Sequence, residues 1–133
     1  GARISGSDWV EDGLNPEEMI VFAKELQIRG CDFVDVTSGQ LDSRQQIEFA
    51  PGFNLPFSKR VKSDTTMAAM GVGMITTPAQ AEEAITSGAA DLVAIARAAM
   101  DDPRWSWRAA QELGVDISYA PNYQRCHPSV WKR

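Results

Sequence analysis

The sequence has few of the residues that form disulfide frameworks, metal centres and catalytic triads. Its only cysteines, Cys31 and Cys126, stand far apart in the chain and outside any CxxC pair. His127 is the only histidine, and it precedes a proline near the end of the chain, where we expect a solvated side chain rather than a catalytic base. A structural disulfide, a Cys/His metal site and a Ser-His-Asp triad are therefore not supported.

Basic charge and long apolar runs are also scarce. The chain has 13 Lys and Arg against 18 Asp and Glu, a net charge of −5, which argues against a surface for nucleic acid or anionic lipid. No stretch approaches the roughly 18 apolar residues of a membrane span, and no basic start followed by an apolar run indicates a signal peptide. We expect a cytoplasmic protein with a small-molecule substrate and no nucleic-acid or membrane partner.

The composition is that of a folded domain, and its apolar residues follow a repeating pattern. The 133 residues are 44% hydrophobic and 23% charged, within the range of one globular domain. Short apolar runs alternate with amphipathic runs at the spacing of βαβ units. The predicted strands are 2–5, 33–37, 67–75 and 91–96, and the predicted helices begin at Pro16, Phe57, Pro78 and about Arg104.

Two of these helices have clear boundary signals. Asn15 precedes Pro16 as an N-cap, and Gly30 provides the stop. Thr77 and Gln80 form a capping box around Pro78, and a glycine closes the helix that follows. The first helix is expected to bury one stripe, formed by Met19, Phe22, Ala23 and Leu26.

Four parallel βα units can form a small open α/β sheet or half of an eight-stranded barrel. Length alone favours the open sheet, because a complete barrel needs roughly 250 residues. The loop chemistry favours the half-barrel, because barrels collect their functional groups at the carboxyl ends of the strands. Those ends are distinctive in this sequence.

The third and fourth predicted strands end in Gly71-Val72-Gly73-Met74 and in Ala96-Arg97. Glycine lets main-chain N–H groups approach an anion closely, and an arginine guanidinium can bind a phosphate group in a bidentate manner. Phosphate sites recur after the last two strands of barrels. The alternative is that the glycines only let a strand bend and that Arg97 is solvated, and spacing leaves both interpretations open. A dinucleotide fingerprint is not supported, because Thr76 stands where its third glycine would be.

Other positions have two interpretations each. Arg3 lies near the end of a strand and can contact an anion or form a surface ion pair. Asp35 lies inside an apolar strand, where it can hydrogen-bond near a barrel mouth or form an internal salt bridge. Trp105 and Trp107 stand beside arginines, but the acidic surroundings favour ordinary packing over base stacking.

Several motifs in register resemble one family. They are Arg3-Ile4-Ser5-Gly6-Ser7-Asp8, residues 30–39 with Asp32, Asp35, Ser38 and Gly39, Pro51-Gly52-Phe53, residues 71–76, and residues 90–97 followed by Asp102-Pro103-Arg104-Trp105. Their order and spacing resemble the C-terminal half of the old yellow enzyme family. The segment Tyr123-Gln124-Arg125 is similar to the closing segment of its thermophilic-like branch.

The resemblance implies a fold and an activity. The fold would be α/β, with four βα units forming the C-terminal half of a (βα)8 TIM barrel over residues 1–133, including a tail from about 114 to 133. The activity would be that of an FMN-dependent oxidoreductase, which transfers hydride from NAD(P)H through the flavin to an activated alkene such as an enone.

The resemblance also implies roles for single residues. Arg3 would lie beside the N1 and O2 edge of the flavin, where a fixed cation stabilises the reduced anion. The segment Gly71 to Met74 (with Gly71, Gly73 and Met74) and the pair Ala96-Arg97 would hold the FMN phosphate. Arg125 would reach across a dimer interface into the active site of the neighbour. Ala96 departs from many relatives, which have glycine there.

A larger departure is that the first half of the family's barrel is absent, and with it the substrate-binding pair and the tyrosine proton donor. We therefore expect the chain alone to be incomplete and inactive, and to form a homo-oligomer or to bind a complementary N-terminal half. The alternative is a non-catalytic half-barrel or assembly module that binds FMN or phosphate weakly or not at all. A third interpretation is another FMN or sugar-phosphate barrel with a different substrate.

Overall fold

A computed structural model describes residues 1–131, in which four strands form one parallel sheet in the order β1-β2-β3-β4. This confirms the predicted α/β fold of four βα units, although the last two positions of the predicted tail lie outside the described residues. The elements are β1 (Ala2–Ser5), α1 (Pro16–Ile28), β2 (Phe33–Thr37), α2 (Leu55–Asp64), β3 (Ala68–Gly71), α3 (Pro78–Thr86), β4 (Leu92–Val93), α4 (Arg97–Asp101), α5 (Trp105–Glu112) and a final 3-10 helix (Pro121–Cys126).

The two helix starts predicted from capping residues are confirmed. The Asn15 carboxamide accepts from the Glu18 N–H at 3.0 Å, and the Glu18 carboxylate accepts from the Asn15 N–H at 3.1 Å. Thr77 and Gln80 repeat this arrangement at the start of α3. Each side chain satisfies a main-chain N–H that the first turn of the helix leaves unpaired.

The core lies between one face of the sheet and the helices α1 and α2. Side chains that alternate along the strands point to this face, as the pleat requires. The predicted α1 stripe is wrong at Phe22, which is 54% exposed, because Ile20 at 4% takes the place beside Met19 and Ala23. The buried cluster comprises Ile4, Met19, Ile20, Ala23, Val34, Val36, Val61, Met67 and Ala69.

The opposite face of the sheet is open within the described chain. Arg3, Asp35, Met70 and Leu92 lie side by side along it, one from each strand. Arg3 Nη1 and Asp35 Oδ2 are 3.0 Å apart, so Asp35 forms the salt bridge that was one of its two interpretations. Asp35 Oδ1 is buried and has no partner among residues 1–131, while Leu92 is 44% exposed. In a closed barrel this face would be the interior.

The structure shortens two predicted strands. The third run, 67–75, is a strand only over Ala68–Gly71, and the fourth, 91–96, only over Leu92–Val93. Gly73 and Met74 have φ values of +126° and +52°, which turn the chain out of the sheet. An apolar run indicates burial, not pairing: Gly73 and Ile75 stay buried in the loop after β3 although they pair with no strand, while Met74 is 37% exposed. Helix α4 was not predicted, and α2 begins two residues before the predicted Phe57.

The tail folds back onto α5. Trp107 stacks on Tyr119 with ring centroids 4.1 Å apart, and His127 meets Tyr119 edge-on. The prediction of a solvated His127 is wrong: its side chain is 20% exposed, and Nε2 lies 3.0 Å from Asp116 Oδ1. Trp105 is buried and donates to the Thr76 carbonyl at 3.1 Å, which confirms packing for that residue.

Both cysteines are free thiols. Among residues 1–131, no helix combines the length and the apolar character needed to cross a membrane.

Candidate functional site

A cavity of about 850 Å³ opens at the carboxyl ends of β2, β3 and β4. We call it the strand-end cavity. Parallel α/β folds bind ligands at this edge, because the loops that follow the strands converge there. Its lining includes Ser38 after β2, Asn54 at the start of α2, the loop 72–76 after β3 and residues 94–98 after β4.

The loop after β3 presents bare main chain to the cavity. A hydrogen bond fixes the turn at Gly73: its carbonyl oxygen accepts from the Gly52 N–H at 2.7 Å. A Cβ at Gly73 would lie 3.1 Å from the Phe53 ring and 3.2 Å from Asn54 Nδ2. The N–H groups of Gly73 and Met74 donate to no group within the described chain. They are therefore available to an acceptor in the cavity.

The loop after β4 adds more donors and one charge. The N–H groups of Ala96 and Arg97 also donate to nothing among residues 1–131. Arg97 is exposed and forms no ion pair or hydrogen bond with the described residues. Of the described residues that line the strand-end cavity, it is the only charged one. A chain of net charge −5 thus has an uncompensated cation at this edge, which favours an anionic ligand.

The wall of the cavity is fixed by contacts between the loops that follow β1 and β2. Trp9 Nε1 donates to Ser38 Oγ at 2.8 Å, and Ser38 Oγ donates to Asn54 Oδ1 at 2.5 Å. On the outside, Arg44 Nη2 lies 2.7 Å from Asp42 and 3.2 Å from Asp12. Hydrogen bonds from the Arg44 side chain, followed by its main-chain N–H, lower the pKa of Asp42 to about 2. The Asp42 carboxylate is therefore ionised at neutral pH and keeps its ion pair with Arg44.

Sequence reasoning missed Asn54. It occupies the N-cap of α2 just before Leu55-Pro56, a position that predicts a capping side chain. The side chain makes no capping bond and lines the cavity instead, with 2% of the residue exposed. Nothing local to the sequence distinguishes these two uses of an asparagine.

The structure brings four of the seven predicted residues together and leaves three elsewhere. Gly73, Met74, Ala96 and Arg97 line the strand-end cavity. Gly71 faces α2, where a Cβ would lie 2.6 Å from a Leu55 methyl group. The Cα of Gly71 therefore packs against this helix. Arg3 lies on the open sheet face, and Arg125 is exposed on the 3-10 helix; neither lines the cavity.

A second cavity, of about 960 Å³, lies between α5 and the tail. Arg108 there is bound to Asp102 at 2.9 Å and to Glu112 at 3.3 Å. Arg104 lies 5.3 Å from the ring centroids of Trp107 and Tyr123. Because carboxylates or rings already surround these cations, this cavity is the poorer anion site.

Parallel βα units with a cavity at the carboxyl ends of their strands are typical of barrel proteins that bind their ligands at that edge. The sequence model of the NADH:flavin oxidoreductase / NADH oxidase family matches residues 1–116. The chain belongs to this family, which confirms the resemblance drawn from its motifs. The predicted cofactors were FMN and NAD(P)H, with the choice between NADH and NADPH left open; FMN agrees with the family, and the names of the relatives specify NADPH.

Relatives in this family have similar sequences but longer chains. The chain is 38% identical over 123 residues to an NADPH dehydrogenase of Geobacillus sp. (strain WCH70) and 36% identical to one of Bacillus subtilis (strain 168). These alignments cover 92% of this chain and 36% of each relative. The chain therefore spans about a third of the length of the relatives it matches.

A solved structure has the same fold. A 2-naphthoyl-CoA reductase, determined in complex with 2-naphthoyl-CoA, superposes with a TM-score of 0.75 at 23% identity. The match covers 83% of this chain and 17% of the reductase.

Proposed function

We propose that this chain provides the phosphate-binding end of the FMN site in an NADPH-dependent oxidoreductase of the ene-reductase type. The observation that carries the proposal is the position of Arg97, an unpaired cation in a cavity whose other described lining residues are uncharged. The main-chain N–H groups of Gly73, Met74, Ala96 and Arg97 have no acceptor among residues 1–131, and all four residues line the same cavity. This donor set fits a phosphate monoester, which offers several acceptor oxygens and negative charge.

Two parts of this chain would contact opposite ends of the cofactor. The strand-end cavity binds the phosphate, and Arg3 on the neighbouring sheet face contacts the pyrimidine edge of the flavin. Asp35 occupies one side of the Arg3 guanidinium at 3.0 Å, which leaves others of its five N–H donors available. Bound FMN supplies hydride chemistry between NADPH and an activated alkene such as an enone. This chain's own residues bind and orient the cofactor.

Titration with two flavins tests the phosphate assignment. The purified chain should bind FMN and quench its fluorescence, while riboflavin, which lacks the phosphate, should bind at least about tenfold more weakly. Co-expression with the part of the Bacillus subtilis relative that the chain does not match should yield NADPH-dependent enone reduction, and the chain alone should not. Equal affinity for the two flavins, or none for FMN, would contradict the proposal.

A second candidate function is that of an assembly module, and the open sheet face favours it. Asp35 Oδ1 is buried without a partner in the described chain, and Leu92 is 44% exposed on the same face. The edges of β1 and β4 also offer unpaired strand groups. A second copy, or complementary βα units, would cover both features, and Arg125 is the residue that a dimer would bring to the partner's site.

Sedimentation velocity at rising concentration tests this assembly. We expect the chain to sediment as a dimer or larger species. The addition of complementary βα units from a relative should convert it to a single complex. A monomer at every concentration, alone and in the mixture, would contradict the assembly.

A further inference from the structure

Three groups form a hydrogen-bonded chain that ends in the strand-end cavity. Trp9 Nε1 donates to Ser38 Oγ at 2.8 Å, and Ser38 Oγ donates to Asn54 Oδ1 at 2.5 Å. Ser38 and Asn54 are only 5% and 2% exposed. Both line the cavity, whereas Trp9 does not.

The indole at the head of the chain sets its direction. An indole N–H can only donate, so Ser38 Oγ must accept from it. The Ser38 hydroxyl proton is then directed to a remaining acceptor, the Asn54 amide oxygen. With Oδ1 used in this way, the amide nitrogen Nδ2 is the polar group of Asn54 that is left for a ligand. Among residues 1–131, the Asn54 side chain forms its hydrogen bond through Oδ1 alone. Nδ2 is not one of the fully buried unpaired atoms, so it retains some contact with solvent.

Asn54 Nδ2 lies next to the main chain assigned to phosphate. The position of a Cβ on Gly73 would be only 3.2 Å from it. Asn54 Nδ2 and Gly73 are therefore neighbours in the lining of the strand-end cavity. A donor that neighbouring groups hold in one orientation binds an acceptor oxygen without the cost of ordering a mobile side chain.

The main chain at Trp9 indicates that its placement is specific. Trp9 has φ +59°, a left-handed conformation that is unusual for a bulky side chain. Its N–H donates to Ser7 Oγ at 3.1 Å and its carbonyl accepts from the Gln46 N–H at 3.3 Å. Its ring packs edge-on against Phe57, with centroids 5.7 Å apart. These contacts hold the indole N–H toward Ser38.

We propose that Trp9 is a positioning residue, which acts through Ser38 so that the Asn54 amide presents its N–H donors to a phosphate oxygen in the strand-end cavity. Trp9 itself touches no ligand in this arrangement. The inference rests on the proposed function, because it assigns part of the specificity of the same site for a phosphate-bearing flavin over a neutral one.

The test compares FMN with riboflavin across matched variants of the full chain. Trp9→Phe keeps an aromatic ring and removes the N–H, and we expect FMN affinity to fall about three- to tenfold while riboflavin affinity is unchanged. Asn54→Asp replaces the donor by a carboxylate of the same shape, and FMN affinity should fall at least about tenfold. Trp107→Phe is the control, since Trp107 lies on α5 and outside the cavity lining, and it should leave both affinities unchanged.

The Asn54 side-chain amide signals in a 15N-1H spectrum provide a second readout. They should shift when inorganic phosphate is added to the wild-type chain, and this shift should be lost in Trp9→Phe. Equal losses of FMN and riboflavin affinity in Trp9→Phe would show a merely structural role and overturn the inference, as would unchanged affinities. If wild type binds no FMN, the proposed function fails. The phosphate titration then decides the inference separately, and an absence of the Asn54 shift overturns it.

Discussion

Replacement of Arg97 by glutamine is expected to weaken FMN binding by about 1.5–3 kcal/mol, the scale of a hydrogen bond to a charged group. Arg97 is the only charged residue among those described in the strand-end cavity, so no neighbouring cation can replace it. The effect should be absent for riboflavin, because the lost interaction is with the phosphate. Stability should change little, since the side chain is exposed and unpaired in the described chain.

The control for this variant is Arg29→Gln, which removes the same charge from the far end of α1. Arg29 is 77% exposed, and its nearest carboxylate, that of Glu25, is 3.9 Å away. Flavin fluorescence titration of both variants separates a local contact from the change in net charge. If the two variants bind FMN equally well, Arg97 does not contact the phosphate.

Replacement of Gly73 by alanine is expected to lower both stability and FMN affinity. The φ of +126° is a conformation that side chains rarely adopt, so we expect a cost of about 1–3 kcal/mol in the free energy of unfolding. The new Cβ would also press on the Phe53 ring at 3.1 Å and on Asn54 Nδ2 at 3.2 Å. Because the main-chain donors lie at this point, FMN affinity should fall at least about tenfold.

Gly88→Ala separates these two effects. Gly88 follows α3 with φ +72°, and a Cβ there would meet nothing within 4 Å. The variant should lose stability in urea unfolding for the same backbone reason, yet bind FMN like the wild type. Equal FMN affinities for Gly73→Ala and Gly88→Ala would remove the loop after β3 from the site.

Local signals in the sequence were sufficient for the order of the four strands and of the helices α1, α2, α3 and α5, and for several of their ends, but not for α4 or the 3-10 helix. Asn15 and Thr77 cap their helices as expected, because a cap depends on neighbours within four residues. Strand lengths could not be obtained in this way. The run from Met67 to Ile75 is apolar throughout, but only Ala68–Gly71 pairs with other strands, since burial in a loop requires the same apolar residues.

In the candidate site, too, some residues could be predicted from the local sequence, while others depend on tertiary contacts. Gly73 and Arg97 could be predicted as phosphate-binding candidates because the backbone freedom of glycine and the paired donors of arginine do not depend on the surrounding sequence. Trp9 lies in the loop after β1, whereas Ser38 and Asn54 lie at opposite ends of the connection between β2 and α2, and no spacing rule links the three residues. For Gly71 the local motif predicted a ligand contact, but in the structure the Cα of Gly71 faces Leu55 of α2.

The assignment of the FMN phosphate to the loops after β3 and β4 can be checked in solution. Main-chain 15N-1H spectra of the labelled chain, recorded during titration with FMN and with riboflavin, test it most directly. We expect the N–H signals of Gly73, Met74, Ala96 and Arg97 to move with FMN and to stay in place with riboflavin. Unmoved signals at these four positions, with shifts instead around Trp107 and Tyr119 beside the tail, would contradict it.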